Sequence, residues 1–303
     1  MGTIRWFKGI LVIMTFIWMG CREQNTIAQF QPGLISTEVV EYACTFSTSG
    51  DELYFARSEQ EWGSGTMKSA IYHAVKTSGQ WSIPQLAPFS GEFDDSDPHL
   101  SKDGNTLYFV SDRPGGNRPA SADIWKVKKD QNGAWGTPIV LPYPINSEQR
   151  EYSPRTDDAG NLYFASDRSG GYGQGDLYVA QWRDGDFSEP ENLGNVLNSE
   201  MGEWNLEVNG SGDLIIFEAS GREENVSSYG DLYISFKEGG QWTVPQNLVE
   251  LNTSGSDLYP YLTPDEKQLF YASSDSLQGK HTHIYVTDFE KLYRRYKRQS
   301  KMP

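Results

Sequence analysis

Acidic side chains recur along this chain of 303 residues, each near the start of a segment whose pattern is typical of a β-strand. The acids are Glu41, Asp95, Asp97, Glu151, Glu203 and Asp257. Carboxylates accept hydrogen bonds from hydroxyl and amide groups, and two carboxylates of unequal pKa hydrolyse glycosidic bonds. These acids therefore suit either the binding of a polar ligand or glycosidase chemistry.

Aromatic residues and arginines recur together with the acids. The aromatics one or two residues after an acid are Tyr42, Tyr152, Trp204 and Tyr259. The arginines, which end or follow the next strand, are Arg57, Arg113, Arg168 and Arg222. In one interpretation the acids and arginines pair with one another and cap turns. In the other they line a mouth that binds a glycan or peptide, with rings stacking on the ligand and carboxylates accepting its hydrogen bonds.

The acids single out neither a catalytic pair nor a cofactor. A glycosidase needs one carboxyl group with a raised pKa beside one that stays ionised, and near-equivalent acids in five successive repeats do not provide such a pair. A calcium ion prefers oxygen ligands, for which Asp95 and Asp97 within Asp94-Asp95-Ser96-Asp97 are the best local candidates. The spacing is not that of an EF-hand, so we expect no cofactor. Because no unequal pair of acids stands out, we also expect no catalytic residue.

The elements that would position these residues form an internal repeat of about 54 residues. An apolar doublet recurs after a turn in each unit. The doublets are Tyr54-Phe55, Tyr108-Phe109, Tyr163-Phe164, Ile216-Phe217 and Phe270-Tyr271. A third strand follows about sixteen residues later, as in Asp123-Ile124-Trp125. The fourth strand is predicted over Trp81 to Pro84, Trp135 to Pro138, Phe187 to Pro190 and Trp242 to Pro245.

Units of four strands without helices are typical of propeller blades. The fifth unit lacks a fourth strand, whereas Phe30-Gln31-Pro32 precedes the first unit, with Pro32 lying 52 residues before Pro84. We therefore predict an all-β, five-bladed β-propeller of four-stranded antiparallel blades over residues 30–290. An N-terminal strand would complete the last blade and close the ring; six blades is the alternative.

Two segments carry a family resemblance, SDPHLSKDGNTLYFVSDRPGG…DIW and EYSPRTDDAGNLYFASDRSGGYGQGDLYV. They resemble TolB-type, WD40-like propeller repeats (PD40-type), in the version found in envelope lipoproteins of Bacteroidetes-like bacteria. The resemblance covers Tyr42 to Val286; the fourth unit departs from it with Glu218 to Arg222, and the fifth has no arginine after Ser274-Asp275. It implies a propeller that serves as an envelope scaffold or as the propeller half of a peptidase. No G-x-S-x-G is present to supply the hydrolase half of such a peptidase.

The first twenty residues have the pattern of an export signal. Arg5 and Lys8 precede the apolar run Gly9 to Met19, which ends in Gly20-Cys21. We predict a lipoprotein-type signal peptide over residues 1–20, lipidation of Cys21 and a tether over residues 21–29. An ordinary signal peptide or a signal anchor is the alternative. The predicted location is the bacterial cell envelope, on the periplasmic or surface side, with a lipid anchor in the membrane.

The charge distribution argues against nucleic acid as a partner. The net charge is −15, whereas binding to phosphate backbones requires a basic surface. The basic tail at residues 291–303 contrasts with this acidity. It is predicted to be solvated, or to contact anionic lipid or an acidic partner.

The predicted function is that of a non-catalytic envelope lipoprotein whose propeller binds a protein or glycan partner. A rigid ring with variable loops suits binding, and no motif demands chemistry. The propeller is expected to be monomeric. The alternative function is a carbohydrate-active enzyme that uses carboxylates at the channel mouth.

Overall fold

The computed structural model describes residues 26–115, 122–274 and 280–300. Cys21 and the predicted signal peptide lie outside these residues. In the described part, the strands form antiparallel sheets that are arranged as the five blades of a propeller around a central channel. This arrangement confirms the predicted fold class.

Each blade has the same order of strands from the channel outwards. The innermost strands are β2 (Val40–Phe46), β7 (Asp95–Leu100), β11 (Glu151–Thr156), β17 (Gly202–Val208) and β22 (Asp257–Leu262). The second strands are β3 (Glu52–Ser58), β8 (Thr106–Ser111), β12 (Leu162–Ser166), β18 (Leu214–Ser220) and β23 (Gln268–Ser273). The third strands are β4 (Ala70–Thr77), β9 (Asp123–Lys128), β13 (Asp176–Ala180), β19 (Asp231–Glu238) and β24 (His283–Asp288). The outermost strands are β1 (Ala28–Gln29), β6 (Gln85–Leu86), β10 (Ile139–Val140), β16 (Glu191–Asn192) and β21 (Gln246–Asn247).

The innermost strands form a closed cycle around the channel. β2 contacts β7, β7 contacts β11, β11 contacts β17, β17 contacts β22, and β22 returns to β2. Each innermost strand also shifts its register against the second strand, by a bulge at its third or fourth residue. Four residues in these bulges have a positive φ: Ala43, Asp97, Ser153 and Tyr259. The bulges bend the strands and re-aim the side chains near the channel.

The predicted position of the outermost strands was wrong by a few residues. The aromatic residue of each predicted fourth strand lies instead in a two-residue strand or a single bridge, near the end of the third strand. These elements are β5 (Gln80–Trp81), β15 (Asp186–Phe187), β20 (Gln241–Trp242) and the bridge between Trp135 and Lys129. β15 pairs there with β14 (Trp182–Arg183). Proline has no N–H for the ladder, so regular pairing resumes only after it. In blade one, for example, β6 begins directly after Pro84.

The predicted closure of the ring by an N-terminal strand is confirmed, with a different register. The closing strand is β1, which pairs with β24 through Ala28 and Val286 and through Gln29 and Tyr285. It therefore starts inside the segment predicted as a tether. The Phe30 N–H donates to the Ile284 carbonyl at 2.7 Å, as the Ala87 N–H does to Ile71 at 2.9 Å. Phe30 is thus the counterpart of Ala87, and Pro32 is not the counterpart of Pro84.

The core lies between the faces of neighbouring blades. The second residue of the doublet is fully buried in four blades, as Phe55, Phe109, Phe164 and Phe217. Burying a phenylalanine side chain contributes about 1.5–3 kcal/mol. Cys44, a free thiol, is also buried in this core, at the seam of blades five and one.

The basic segment near the C-terminus is not an unstructured tail. Residues Phe289–Gln299 form helix α1, and the side chain of Asp288 caps it by accepting from the Lys291 N–H. Phe289, Leu292 and Tyr296 lie at helical spacing and are buried against blades four and five. Lys297 and Arg295 form ion pairs with Glu238 and Glu250. No helix in the described residues is long and apolar enough to cross a membrane.

Candidate functional site

The five acids that begin the innermost strands are fully buried. Glu203 is representative: its carboxylate accepts from Ser199, from the N–H at 2.8 Å and from the hydroxyl at 2.6 Å, and pairs with Arg222 at 2.7 Å. The other members of this set are Glu41, Asp95, Glu151 and Asp257. A dissolved ligand does not reach these carboxylates in this conformation, because no part of their side chains is exposed.

The four predicted arginines pair with these acids within their own blades. The pairs are Arg57–Glu41 (3.4 Å), Arg113–Asp95 (2.6 Å), Arg168–Glu151 (3.4 Å) and Arg222–Glu203 (2.7 Å). Each guanidinium also lies over aromatic rings of its blade and donates to a backbone carbonyl just before the innermost strand. These contacts support the first interpretation, in which the repeated acids and arginines hold the blades together. Any role of these residues in ligand binding stays a prediction.

Asp257 is the exception among the acids, since no arginine pairs with it in the described residues. Its carboxylate accepts from the Ser273 hydroxyl at 2.6 Å and from the Thr253 N–H at 2.6 Å. Burial raises the pKa of Asp257 to about 6. Blade five thus holds the acid with neutral donors alone.

The predicted aromatics fall into two groups. Tyr42 and Tyr259 lie 4.7 Å apart between ring centroids, and Trp62 packs against both of them. Tyr152 and Trp204 do not join this group: the Tyr152 hydroxyl donates to Asp167, and Trp204 lies against Gly175 and Gly202. The structure therefore does not bring the four predicted aromatics together into one binding surface.

Two further acids, Asp97 and Glu218, are buried besides the five acids that begin the innermost strands, which we call the seam acids. Asp97 accepts from the Ser153 N–H at 2.9 Å, and its second oxygen has no partner in the described residues. Glu218 accepts a hydrogen bond from Asn205 and stands where the other blades have Ala56, Val110, Ala165 and Ala272. Burial raises the pKa of Asp97 to about 6, and burial together with the charge of Asp97 raises that of Glu218 to about 8.

The carboxylates of Asp94, Asp95 and Asp97, which were the candidate calcium ligands, contact different partners. Asp94 accepts from the Ser69 N–H, Asp95 pairs with Arg113, and Asp97 accepts from Ser153. In the described ranges no group of three His, Cys, Asp or Glu residues is arranged to hold a metal ion.

A cavity of about 300 Å³ opens at the other mouth of the channel, where the turns between first and second strands lie. We call this the turn-side mouth. Its floor is formed by residues of the innermost strands, including His99, Glu207 and Tyr261, with Phe46, Leu100, Val208 and Leu262 beside them. Its rim is formed by the five turns, with Thr48, Lys102, Asp158, Asn209 and Glu266. The volume is at the lower end of the range for small-molecule sites.

His99 lines this cavity and has a buried ring nitrogen without a hydrogen-bond partner in the described residues. The Thr156 N–H donates to His99 Nε2 at 3.0 Å, so this nitrogen carries a lone pair. Burial, and then the charge of Arg155, lower the pKa of His99 well below its usual range. The ring is therefore neutral, with its proton on Nδ1. No group in the described residues accepts a hydrogen bond from Nδ1, and an unpaired buried donor is costly unless a ligand or water satisfies it.

An ion pair lies beside His99 in the channel. Arg155 is fully buried and its Nε donates to Glu207 Oε2 at 2.9 Å. Its Nη1 donates to the Pro154 carbonyl, whereas Nη2 has no partner in the described part of the chain. Burial raises the pKa of Glu207, while Arg155 acts in the opposite direction. The floor thus combines the Glu207 carboxylate and the His99 ring with aromatic and aliphatic surface, and Arg155 is buried next to Glu207 without lining the cavity.

Turn-to-turn contacts shape the rim. The Thr48 hydroxyl donates to the Lys102 carbonyl at 2.7 Å, and Lys102 Nζ pairs with Asp158 at 2.7 Å. The Asp158 N–H donates to the Gly210 carbonyl, and Asn209 donates to Glu266 at 3.1 Å. Four of the five blade junctions are joined in this way. No such contact joins the turn of blade five to that of blade one among the residues that the structure describes.

Comparisons with known proteins support the fold and leave the activity open. No protein-family model and no curated protein matches the chain. An endo-arabinase from Bacteroides thetaiotaomicron VPI-5482 superposes with a TM-score of 0.53 at 12% identity, over 84% of this chain and 96% of the arabinase. A glycoside hydrolase superposes with a TM-score of 0.53 at 10% identity, over 84% of this chain and 89% of the hydrolase.

A third similar structure is much longer than this chain. It is a puromycin-hydrolyzing peptidase of Mycobacterium tuberculosis, with a TM-score of 0.43 and 14% identity. The superposition covers 77% of this chain and 34% of the peptidase, so the chain spans about a third of that protein's length. At these identities the similarities show the propeller fold alone.

The sequence analysis missed the residues of the turn-side mouth. The residues four positions after each seam acid form one row, which we call the channel row: Thr45, His99, Arg155, Glu207 and Tyr261. A comparison of the repeats would have shown this row as the place where the type of residue changes from blade to blade. Residues that recur in every repeat stabilise the blades. Residues that differ from blade to blade at a position facing the channel are candidates for ligand binding.

Proposed function

We propose that this protein is a non-catalytic binding module of the bacterial cell envelope, which takes a glycan in the cavity at the turn-side mouth. The observation that carries the proposal is the buried Nδ1–H of His99, which has no acceptor in the described residues and belongs to a side chain that lines the cavity together with Glu207 and Tyr261. Sugars present alternating hydroxyl groups and C–H faces. They are matched by donors and acceptors set among aromatic rings.

The envelope location rests on the signal pattern of residues 1–20 and on Cys21, which we propose to be lipidated. The experiment is fractionation of the wild type and Cys21→Ser from a native or related host. The wild type should sediment with membranes, and the variant should appear in the soluble fraction. A Cys21→Ser chain that remains with membranes without being cleaved would contradict the lipid anchor.

A carbohydrate-active enzyme is the second candidate, and one observation favours it. Burial raises the pKa of Glu207 inside a cavity whose rim carries two further acids, Asp158 and Glu266. A glycosidase requires such unequal acids. Arg155 holds the Glu207 carboxylate directly, however, which fits a structural ion pair better than a general acid.

Binding is tested by calorimetric titration with a panel of neutral oligosaccharides, together with an assay for released reducing ends. Ser211 lies in the cavity wall on the turn of blade four, and Ala159 occupies the equivalent place in blade three, outside this cavity. Ser211→Trp should abolish binding, whereas Ala159→Trp should retain it. Reducing-end release by the wild type that Ser211→Trp removes would establish the enzyme instead. Binding that is unchanged in Ser211→Trp would contradict the proposed site.

A further inference from the structure

A second cavity, of about 390 Å³, adjoins the first at the junction of blades five and one. The two share lining residues: Phe46, Thr48, Thr263 and Pro264. Together they form a groove that runs from the turn-side mouth outwards to the closing strand. We call the outer part the seam cavity.

The seam cavity exists because this junction is built differently from the others. Four junctions are joined by contacts between successive turns, such as Lys102 with Asp158. At the fifth junction, in the described residues, the hydrogen bond beneath the turns is the one that the Tyr261 hydroxyl donates to the Phe46 carbonyl at 3.4 Å. No polar contact joins the turns of blades five and one in the described residues, and Thr48, Thr263 and Pro264 of these turns line both cavities.

Aromatic rings form the base of the seam cavity. Trp81 and Phe270 both contact the ring of Phe30, with centroids 6.1 and 5.1 Å away, and Phe46 contacts all three. Because these rings brace one another, the base is held in place before a ligand arrives. Preorganisation of this kind reduces the entropy cost of binding.

The walls of the seam cavity are polar and carry little charge. They present hydroxyl and amide side chains: Gln31, Ser47, Thr48, Ser49, Thr263 and Gln268. The charged side chains at the cavity are one base, Lys76, and one acid, Asp265, which already pairs with Lys267. Aromatic rings below hydroxyl and amide groups match an uncharged sugar better than a charged polymer or a peptide that seeks an open strand edge.

We propose that the groove binds a linear, uncharged oligosaccharide, with one end in the cavity at the turn-side mouth and the following residues along the seam cavity. This inference rests on the proposed function, because the inner end of the ligand occupies the same cavity. The groove would then contact several successive sugar residues of the ligand and not a single ring. Affinity must then increase with the number of sugar residues until the groove is filled.

The test is calorimetric titration with neutral gluco-, xylo-, manno- and arabino-oligosaccharides of one to six residues. For the series that binds, the wild type should gain about tenfold in affinity from the shortest bound member to the longest. Ser49 lines the seam cavity at the turn position equivalent to Ser211 and Ala159. Ser49→Trp should keep the affinity for the shortest ligand and lose most of the gain with length, while Ala159→Trp should behave as the wild type.

A milder variant guards against a general effect of the bulky side chain. Gln268 is exposed at the wall of the seam cavity, and Gln268→Ala should weaken the long ligands a few-fold without affecting the short ones. Equal affinity for short and long ligands in the wild type would overturn the seam proposal and leave the proposed function intact. Binding of none of the sugars, or tighter binding of unstructured peptides of similar length, would overturn both.

Discussion

Arg155 and Glu207 form an ion pair across two blades in the interior of the channel, with Nε and Oε2 2.9 Å apart. The two residues occupy the same place in neighbouring innermost strands, β11 and β17. Arg155 is fully buried and Glu207 nearly so. The pair thus joins blades three and four at a level where the other blades contribute the neutral side chains of Thr45, His99 and Tyr261.

Removing the carboxylate from this pair should destabilise the propeller. Glu207→Gln leaves the buried Arg155 without a counter-ion, and we expect a loss of about 3 kcal/mol in the free energy of unfolding. The measurement is urea denaturation followed by tryptophan fluorescence. In the double variant Arg155→Met with Glu207→Leu much of this loss should be recovered, because neither member of the pair then leaves an unpaired buried charge. A double variant that is less stable than Glu207→Gln would contradict this account.

The seam acids should contribute to stability according to whether an arginine faces them. Glu203→Gln removes the charge that balances Arg222, and we expect a loss of about 2 kcal/mol. Asp257→Asn is the matched control, since neutral donors hold that acid in place. It should cost clearly less at neutral pH. Equal losses in the two variants, measured by urea denaturation, would show that the arginine pairing is not the reason for the burial.

Glu218 should make the protein less stable as the pH rises. The unfolded chain releases this proton near pH 4.5, whereas burial raises the pKa to about 8 in the folded protein. Between these values the folded state holds a proton that the unfolded state has lost, so the free energy of unfolding falls with increasing pH.

Glu218→Gln stays neutral and removes this slope. At pH 8 the variant should be more stable than the wild type by about 4 kcal/mol, with little difference near pH 4.5. Glu224→Gln, on an exposed loop residue, is the control and should follow the wild type. Parallel stability curves for Glu218→Gln and the wild type across this pH range would refute the assignment.

Phe30 should be important for closing the ring. It follows the closing strand β1 and its ring contacts Phe46, Trp81 and Phe270. Phe30→Ala should lower the free energy of unfolding by about 2 kcal/mol, through lost burial and the space left behind. Ile27→Ala, at a side chain 38% exposed, should have almost no effect. Thermal unfolding of the two variants provides the comparison, and a loss as large in Ile27→Ala would argue against the role of Phe30.

The fold could be predicted from the sequence because the features that build blades must recur in every blade. The doublets, the turns before them and the missing fourth strand of the last unit together specified five blades and their closure. The register of the closing strand could not be predicted from Pro32, because the backbone pairing at Phe30 decides it. The apolar spacing of Phe289, Leu292 and Tyr296 is typical of a helix, whereas the basic residues between them favour a solvated tail.

The candidate site was harder to predict for the same physical reason. A search for recurring residues finds those that every blade needs, and Glu203 with Arg222 proved to be such a pair. Residues that face a ligand have no reason to recur, and His99 and Glu207 differ from their counterparts in every other blade. Whether two turns meet or stand apart also depends on the three-dimensional spacing of the blades, which no single repeat encodes.

Blade five, in which the first strand pairs with the last, adjoins blade one at the junction whose turns share no polar contact in the described residues. In thermodynamic terms, ring closure and occupancy of the groove are linked equilibria, since an occupant that contacts both blades favours the closed ring by mass action. The backbone amides of Phe30 and its neighbours then report on both processes at once. Their exchange with solvent would slow as the ligand concentration rises, although the ligand forms no strand with them.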